Sequence, residues 1–177
     1  RVVLFLGYGS EPAVRLVVGL YLANIVVNIV TVLIAFRWLR ELSFSMNESV
    51  VGMLAFMFCT THLRYTQNMM ENNYIMLMTL AGFSFQYEWL RSDSLRALFM
   101  GSCTLGLNLL TRLTTGLDLI AGGIFVLLAL WFEGACGRGL WRRFIAYGKV
   151  AAPVYVFCLA VDRVYQFYRS GPVTTEN

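Results

Sequence analysis

Polar side chains at helical spacing stand out in residues 61–74, THLRYTQNMMENNY, between two apolar stretches. If this segment is helical, Arg64, Asn68 and Glu71 recur at i, i+4 and i+7 and share one face. A guanidinium binds phosphate bidentately, and a nearby carboxylate can hold a metal ion or an acceptor hydroxyl. This face therefore predicts a site for a phosphate-bearing lipid head group. The alternative is that Glu71 only offsets the dipole of a helix that starts near Asn73.

A second candidate site is LLTRLTTGLD, residues 109–118, in which Arg112 ends one apolar stretch and Asp118 begins the next. An arginine this close to hydrocarbon extends to the interface, pairs with an acid, or binds an anion. Binding of an anionic substrate group is the functional interpretation. Snorkelling, or pairing of Arg112 with Asp118, is the structural one.

Asn24, Asn28 and Thr31 also recur at i, i+4 and i+7, inside the first apolar stretch. Side chains of this kind commonly form hydrogen bonds between membrane helices, which is the ordinary interpretation. Lining of a cavity is the alternative.

The composition defines the elements that must position these residues. The chain is 58% hydrophobic and 14% charged, whereas a soluble domain is typically about 45–50% apolar and about 25% charged. Ionised groups are costly in hydrocarbon, so both departures predict an integral membrane protein. The net charge of +4 comes from short arginine clusters between apolar stretches, which is typical of cytoplasmic loops and argues against a nucleic-acid partner.

Six apolar stretches alternate with short polar segments. They cover residues 13–36, 50–61, 74–90, 95–111, 117–132 and 150–161. A helix needs about 20 apolar residues to cross a bilayer, so the second and sixth stretches must tilt or include polar neighbours. The stretches do not alternate as barrel strands do. We therefore predict an all-α polytopic transmembrane helix bundle of about six spans, with residues 1–177 forming a single membrane domain and no soluble domain.

Arginine placement predicts the orientation of these spans. Eight of the 14 basic residues fall in alternate loops: Arg37, Arg40, Arg91, Arg96, Arg138, Arg142, Arg143 and Lys149. By the positive-inside rule those loops are cytoplasmic, and residues 61–73 and 112–118 lie on the outer face. The expected location is a bacterial inner membrane or plasma membrane, or the endoplasmic reticulum membrane of a eukaryote.

Soluble catalytic motifs such as GxSxG, the P-loop, GxGxxG and HExxH are absent from the sequence. The four cysteines are scattered without CxxC spacing, and His62 is the single histidine. A zinc or redox site therefore has few residues from which it could be built.

The order of these parts resembles a known family. An EPAVRL segment leads into a long apolar stretch, a later stretch is followed by TTHLRYTQNMMENNY, and GLNLLTRLT (residues 106–114) ends another. This resembles the GT-C membrane glycosyltransferases, in the group related to protein O-mannosyltransferases and the bacterial aminoarabinose transferase. The family pattern is similar to GLALLTRPT, and this sequence lacks its proline. The resemblance covers roughly residues 10–132.

The resemblance implies transfer of a sugar from a polyprenyl-phosphate donor to a protein or lipid acceptor at the outer face, with inversion at the anomeric carbon. Glu71 matches the family's second acidic position, which positions donor phosphate, acceptor or a divalent cation such as Mg²⁺ or Mn²⁺. Arg112 matches the basic residue of the LTR pattern. The family's principal catalytic acid follows the first span, and we expect that part to precede Arg1 in a longer protein, so that this chain alone would be inactive.

Two other functions are compatible with the sequence. A transporter or flippase for a lipid-linked substrate would typically show internal repeats and helices broken by Gly or Pro. Neither feature is visible, and the chain has three prolines. In a bare assembly subunit, every polar residue named above would be structural.

Overall fold

The computed structural model describes residues 12–59, 71–132 and 137–170, and all regular elements in these ranges are helical. They are α1 (Pro12–Glu41), α2 (Met46–Phe58), α3 (Asn72–Ser92), α4 (Leu95–Thr111), α5 (Gly116–Phe132) and α6 (Arg138–Ser170), with a single 3₁₀ turn at Leu113–Thr115. The predicted all-α class is confirmed. Each predicted apolar stretch overlaps one helix.

Contacts divide the chain into two compact units, residues 1–77 and 78–177, which are described separately below. The first unit contains α1, α2 and the start of α3. The second contains the rest of α3 and the three following helices. The expectation of one membrane domain across residues 1–177 stays a prediction.

Two helices of the described chain are long and apolar enough to cross a bilayer: α1 over Val18–Glu41 and α6 over Gly139–Arg169. Their apolar windows are only 22% and 17% buried, unlike the mostly buried core helix of a soluble protein. The shorter apolar helices α2, α4 and α5 have 13, 17 and 17 residues. At about 1.5 Å per residue, 17 residues reach about 25 Å, less than the roughly 30 Å hydrocarbon core. The six-span arrangement therefore stays a prediction.

The turn before α2 is closed by a capping box. The Ser45 hydroxyl accepts a hydrogen bond from the Glu48 backbone N–H, and the Ser45 N–H donates to Glu48 Oε2 at 2.7 Å. These two bonds satisfy donors that the first turn of a helix leaves open. Because they favour the ionised carboxylate, they hold the pKa of Glu48 below its usual value.

The core of the second unit lies where α3, α4, α5 and α6 meet. Leu98, Val126 and Leu130 are fully buried there, and Trp89 is 3% exposed. Close approach of α3 and α4 depends on Gly101, since a Cβ at this position would lie 3.0 Å from the carbonyl oxygen of Gly82. Small residues at such contacts let helix backbones approach closely. Between helices in lipid, the resulting van der Waals packing takes the place of the hydrophobic effect.

The turn between α3 and α4 is tied to the start of α6. Asp93 takes a left-handed conformation (φ 52°), which aspartate tolerates better than most residues. Arg143 Nη2 donates to Asp93 Oδ1 at 2.7 Å and to the Leu90 carbonyl oxygen at 2.8 Å. Its guanidinium also lies 5.7 Å from the ring centre of Trp89. Arg143 thus links the start of α6 to the end of α3 and to the turn that follows α3.

Candidate functional site

Three helices of the second unit bring polar side chains together around Asp118. Thr79 of α3 donates its hydroxyl to Asp118 Oδ2 at 2.6 Å. Asn108 of α4 donates its amide to the same oxygen at 3.1 Å and to the Thr79 hydroxyl oxygen at 3.0 Å. Asn108 is fully buried and Asp118 is half-buried. We call Thr79, Asn108 and Asp118 the Asp118 cluster.

The local sequence explains why the carboxylate is held there. α4 ends because Arg112 takes an extended conformation (φ −158°, ψ 130°). The Thr115 hydroxyl bonds the Arg112 carbonyl oxygen at 2.6 Å and the Asn108 carbonyl oxygen at 2.9 Å. These bonds satisfy carbonyls that a helix C-terminus leaves open. Asp118 then falls in the first turn of α5, where a negative charge is favoured by the helix dipole.

The predicted site residues lie in three places. Arg112 and Asp118 share the junction between α4 and α5, with the Arg112 side chain exposed. Glu71 lies in the first unit, immediately before α3, where it is exposed and its carbonyl oxygen accepts from the Ile75 N–H at 3.0 Å. That is the position the capping alternative expects. Arg64 and Asn68 lie outside the described residues.

The sequence interpretation missed two members of the Asp118 cluster, Thr79 and Asn108. Each is a polar residue within an apolar helix, which is the available signal, because a polar group facing lipid would be costly. Asn108 also lies four residues before Arg112, in the last turn of α4. Spacing within one helix could not show that Thr79 would face it from another.

The position of the Asp118 cluster within the second unit follows from α4. Asp118 and Arg112 lie at the C-terminal end of this helix, and the ion pair between Arg143 and Asp93 lies at its N-terminal end. Seventeen residues of helix separate these ends by about 25 Å. A carboxylate and an exposed guanidinium therefore occupy the end of α4 opposite the arginine-rich turns.

A second buried polar group links α3 to α6. Gln86 is fully buried, and its amide nitrogen donates to the hydroxyl oxygens of Tyr147 and Tyr155, each at 3.2 Å. The two hydroxyl oxygens lie 3.3 Å apart. Gln86 Oε1 has no hydrogen-bond partner among the described residues. Nothing in the sequence interpretation had assigned these residues.

In the first unit, Asn24 of α1 forms a hydrogen bond of the expected interhelical kind, whereas the Asn28 amide donates to Asn24 of its own helix. Asn73 at the start of α3 donates to Asn24 Oδ1 at 2.6 Å, an interhelical hydrogen bond. The Thr31 hydroxyl bonds the Val27 carbonyl oxygen of its own helix. Asn28 lies in a largely apolar groove, as the cavity alternative expected. The groove is lined by Ile25, Asn28, Ile29, Val32, Leu33 and Met57.

The Asp118 cluster contains one carboxylate among its three side chains. Within residues 12–59, 71–132 and 137–170, no three or more His, Cys, Asp or Glu side chains group closely enough to hold a metal ion. Asp118 is a single carboxylate, and one of its oxygens already accepts two hydrogen bonds. The divalent cation that the resemblance implies therefore stays a prediction, and no chemical step is assigned to a metal below.

Comparison of the chain with models of protein families, with curated proteins and with solved structures finds no match.

Proposed function

We propose that this chain is the membrane portion of a GT-C-like glycosyltransferase that moves a sugar from a polyprenyl-phosphate donor to an acceptor at the outer face. The observation that carries this proposal is the junction between α4 and α5. The motif GLNLLTRLT ends there with an exposed Arg112, and Asp118 is held beside the same turn by two side-chain hydrogen bonds. A cation and a carboxylate at one helix end suit a phosphate-linked sugar.

The proposed roles follow from the chemistry of each group. Arg112 binds the donor phosphate and stabilises the negative charge that develops on the departing phosphate, since a guanidinium matches phosphate oxygens bidentately. Asp118 accepts a hydrogen bond from a sugar or acceptor hydroxyl through its remaining acceptor capacity. Glu71, with Arg64 and Asn68, is proposed to position the donor phosphate or the acceptor.

The activity test compares variants of Arg112 in membranes of cells that express the protein. Arg112→Gln should lower sugar transfer about 100-fold or more, because a positioned transition-state charge is lost. Arg112→Lys should recover part of that loss, since charge remains and the bidentate geometry does not. Arg169→Gln, an exposed arginine near the end of α6, is the matched control and should leave transfer unchanged. Equal transfer by Arg112→Gln and the control would remove Arg112 from the site.

A separate variant tests Glu71, because Glu71 lies in the first unit and Arg112 in the second. Glu71→Gln keeps the size of the side chain and removes its charge. We expect at least a 100-fold loss of transfer with normal membrane insertion, as for loss of a positioned catalytic carboxylate. Near-normal turnover would leave Glu71 with the capping role alone.

The hydrogen bonds to Asp118 also favour a second candidate, a non-catalytic membrane protein such as a transporter, flippase or assembly subunit. In that case the carboxylate exists to join α3, α4 and α5. Asp118→Asn would then lower the free energy of unfolding, and Arg112→Gln would have no effect on sugar transfer. In the transferase, Arg112→Gln lowers transfer, because the guanidinium that binds the donor phosphate is lost.

We further propose that the protein is a multi-pass membrane protein with arginine-rich turns inside. Support comes from the two helices long and apolar enough to cross a bilayer and from the placement of basic residues. The test is thiol labelling of single-cysteine variants, Asn68→Cys and Arg142→Cys, in a chain whose four cysteines are replaced. An impermeant reagent added outside should label position 68 and reach position 142 only after permeabilisation. The reverse pattern would contradict this orientation.

A further inference from the structure

The first three turns of α6 carry a basic and aromatic surface that the proposed transfer reaction does not use. Trp141, Arg142, Ile145, Ala146 and Lys149 line one shallow groove. Trp141 is 60% exposed and Ile145 is 52% exposed, and both cations are exposed. Positions 142, 145, 146 and 149 recur at i, i+3, i+4 and i+7, so they share one helix face. We call these five residues the α6 groove.

From this groove we propose a binding site for an anionic phospholipid of the cytoplasmic leaflet, with the phosphate between Arg142 and Lys149 and the acyl chains along Ile145. The inference rests on the membrane location proposed above, and does not require transferase activity. An apolar floor with two cations complements a lipid that has both a hydrocarbon chain and a negative head group.

The length of α6 places Arg142 near the head-group level and Lys149 further toward the hydrocarbon core. The helix has 33 residues, or about 50 Å, against a hydrocarbon core of about 30 Å. Between Lys149 and Asp162 lie 12 uncharged residues, which span only about 18 Å. Lys149 therefore starts within the hydrocarbon region, and its ammonium must extend toward the interface or be neutralised there.

Helix geometry places the two cations on one face of α6. The backbones of these residues are about 10 Å apart along the axis. This distance is within the combined reach of a flexible lysine and a flexible arginine side chain. A phosphate at this level can then contact both.

Neighbouring residues keep the α6 groove open and ordered. Trp141 packs edge-on against Phe144, with ring centres 6.1 Å apart, and Phe144 stacks on the buried Tyr147. Ala146, with only a methyl side chain, lines the groove between Arg142 and Lys149. Arg143, by contrast, is already bonded to Asp93. In the described part of the chain, neither Arg142 nor Lys149 forms an ion pair with an acid.

The test measures lipid retention by native mass spectrometry of the chain in detergent, titrated with phosphatidylglycerol or with phosphatidylcholine of the same acyl chains. The unaltered chain should retain phosphatidylglycerol in preference to phosphatidylcholine. Each cation near a head group contributes about fivefold in affinity, so Arg142→Gln with Lys149→Gln should weaken phosphatidylglycerol binding about 30-fold. Binding of phosphatidylcholine should not change.

Two controls make the result specific to the α6 groove. Arg91→Gln with Arg96→Gln removes the same charge from other exposed positions and should change phosphatidylglycerol affinity less than twofold. Ala146→Phe fills the groove without altering charge, and should lower affinity at least tenfold where Ala146→Gly does not. Far-ultraviolet circular dichroism confirms that each variant is folded.

Several outcomes would overturn the proposal: equal retention of the two lipids, an equal loss in the Arg91 and Arg96 control, or a chain dimer that the groove variants dissociate. Lipid retention is read without any transfer reaction. A chain that retains phosphatidylglycerol and transfers no sugar would therefore refute the transferase proposal alone. Loss of lipid selectivity with sugar transfer intact would refute the groove alone.

Discussion

Close packing of α3 against α4 at Gly101 gives a prediction that can be worked out from distances. A Cβ at Gly101 would lie 3.0 Å from the Gly82 carbonyl oxygen and 3.2 Å from the Gln86 backbone nitrogen. Both are backbone atoms, which cannot rotate away as a side chain can. Gly101→Ala must therefore separate the two helices by a few tenths of an ångström.

Gly123 provides the matched control, since it also lies inside a helix of the same unit and its added Cβ would meet nothing within 4 Å. Replacing an interior helix glycine by alanine gains about 0.5–1 kcal/mol from backbone entropy. Both variants receive this gain, but Gly101→Ala also meets an overpacking cost of about 1–3 kcal/mol. We expect Gly101→Ala to be about 2 kcal/mol less stable than Gly123→Ala.

The assay is thermal unfolding in detergent, followed by circular dichroism at the same protein concentration. For a domain of about 100 residues, 1 kcal/mol corresponds to about 4–8 °C in Tm, so the two alanine variants should differ by about 8–16 °C. Gly101→Leu should lower the Tm further, because more atoms meet the α3 backbone. A Tm for Gly101→Ala equal to or above that of Gly123→Ala would refute the close approach of these helices.

Further predictions concern the first unit. Ser45→Ala should destabilise α2 by about 1 kcal/mol, because the capping box is lost; hydrogen exchange of the first α2 amides measures this. Because the pKa of Glu48 is lower in the folded state than in the unfolded chain, its ionised carboxylate stabilises α2 fully above the unfolded pKa near 4.5. This stabilisation is lost as the pH falls through the lower, folded-state pKa. The exchange protection of unaltered α2 should therefore decline below about pH 4, and a constant protection factor down to pH 2 would contradict this. Asn73→Leu should cost about 0.5–2 kcal/mol in chemical unfolding through loss of its bond to Asn24, whereas Asn72→Leu, at the neighbouring half-buried position, should cost less.

The helices could be predicted from the sequence where their ends coincide with a change in hydropathy. The predicted stretch 95–111 matches α4 residue for residue, because Ser94 caps its start and Arg112 leaves the helical conformation at its end. α6 was underestimated, since the prediction covered 150–161 and the helix is Arg138–Ser170. Arginine has a favourable helix propensity, and hydropathy alone does not detect a basic helical segment.

The candidate site was predictable only in part, for a physical reason. Arg112 and Asp118 are visible in the sequence because each interrupts apolar residues at a helix end. Thr79 and Asn108 acquire their significance from hydrogen bonds between helices, and the spacing within one helix carries no information about which other helix it will face. The same applies to Gln86, because its two tyrosine partners belong to another helix and only tertiary packing brings them to it.

Within the motif GLNLLTRLT, Gly106 and Asn108 are packed between helices, whereas the Arg112 side chain is exposed. Gly106 allows close approach to α6, where an added Cβ would lie 2.9 Å from Cys158 Sγ. Asn108 is buried in hydrogen bonds within the Asp118 cluster. A non-catalytic helix bundle would need both residues equally, so neither discriminates between the proposed functions. Arg112 differs, because its backbone ends α4 while its charged side chain remains exposed. The comparison of Arg112→Lys with Arg112→Gln is therefore the most discriminating test of the transferase, since it separates the charge of this exposed side chain from its bidentate geometry.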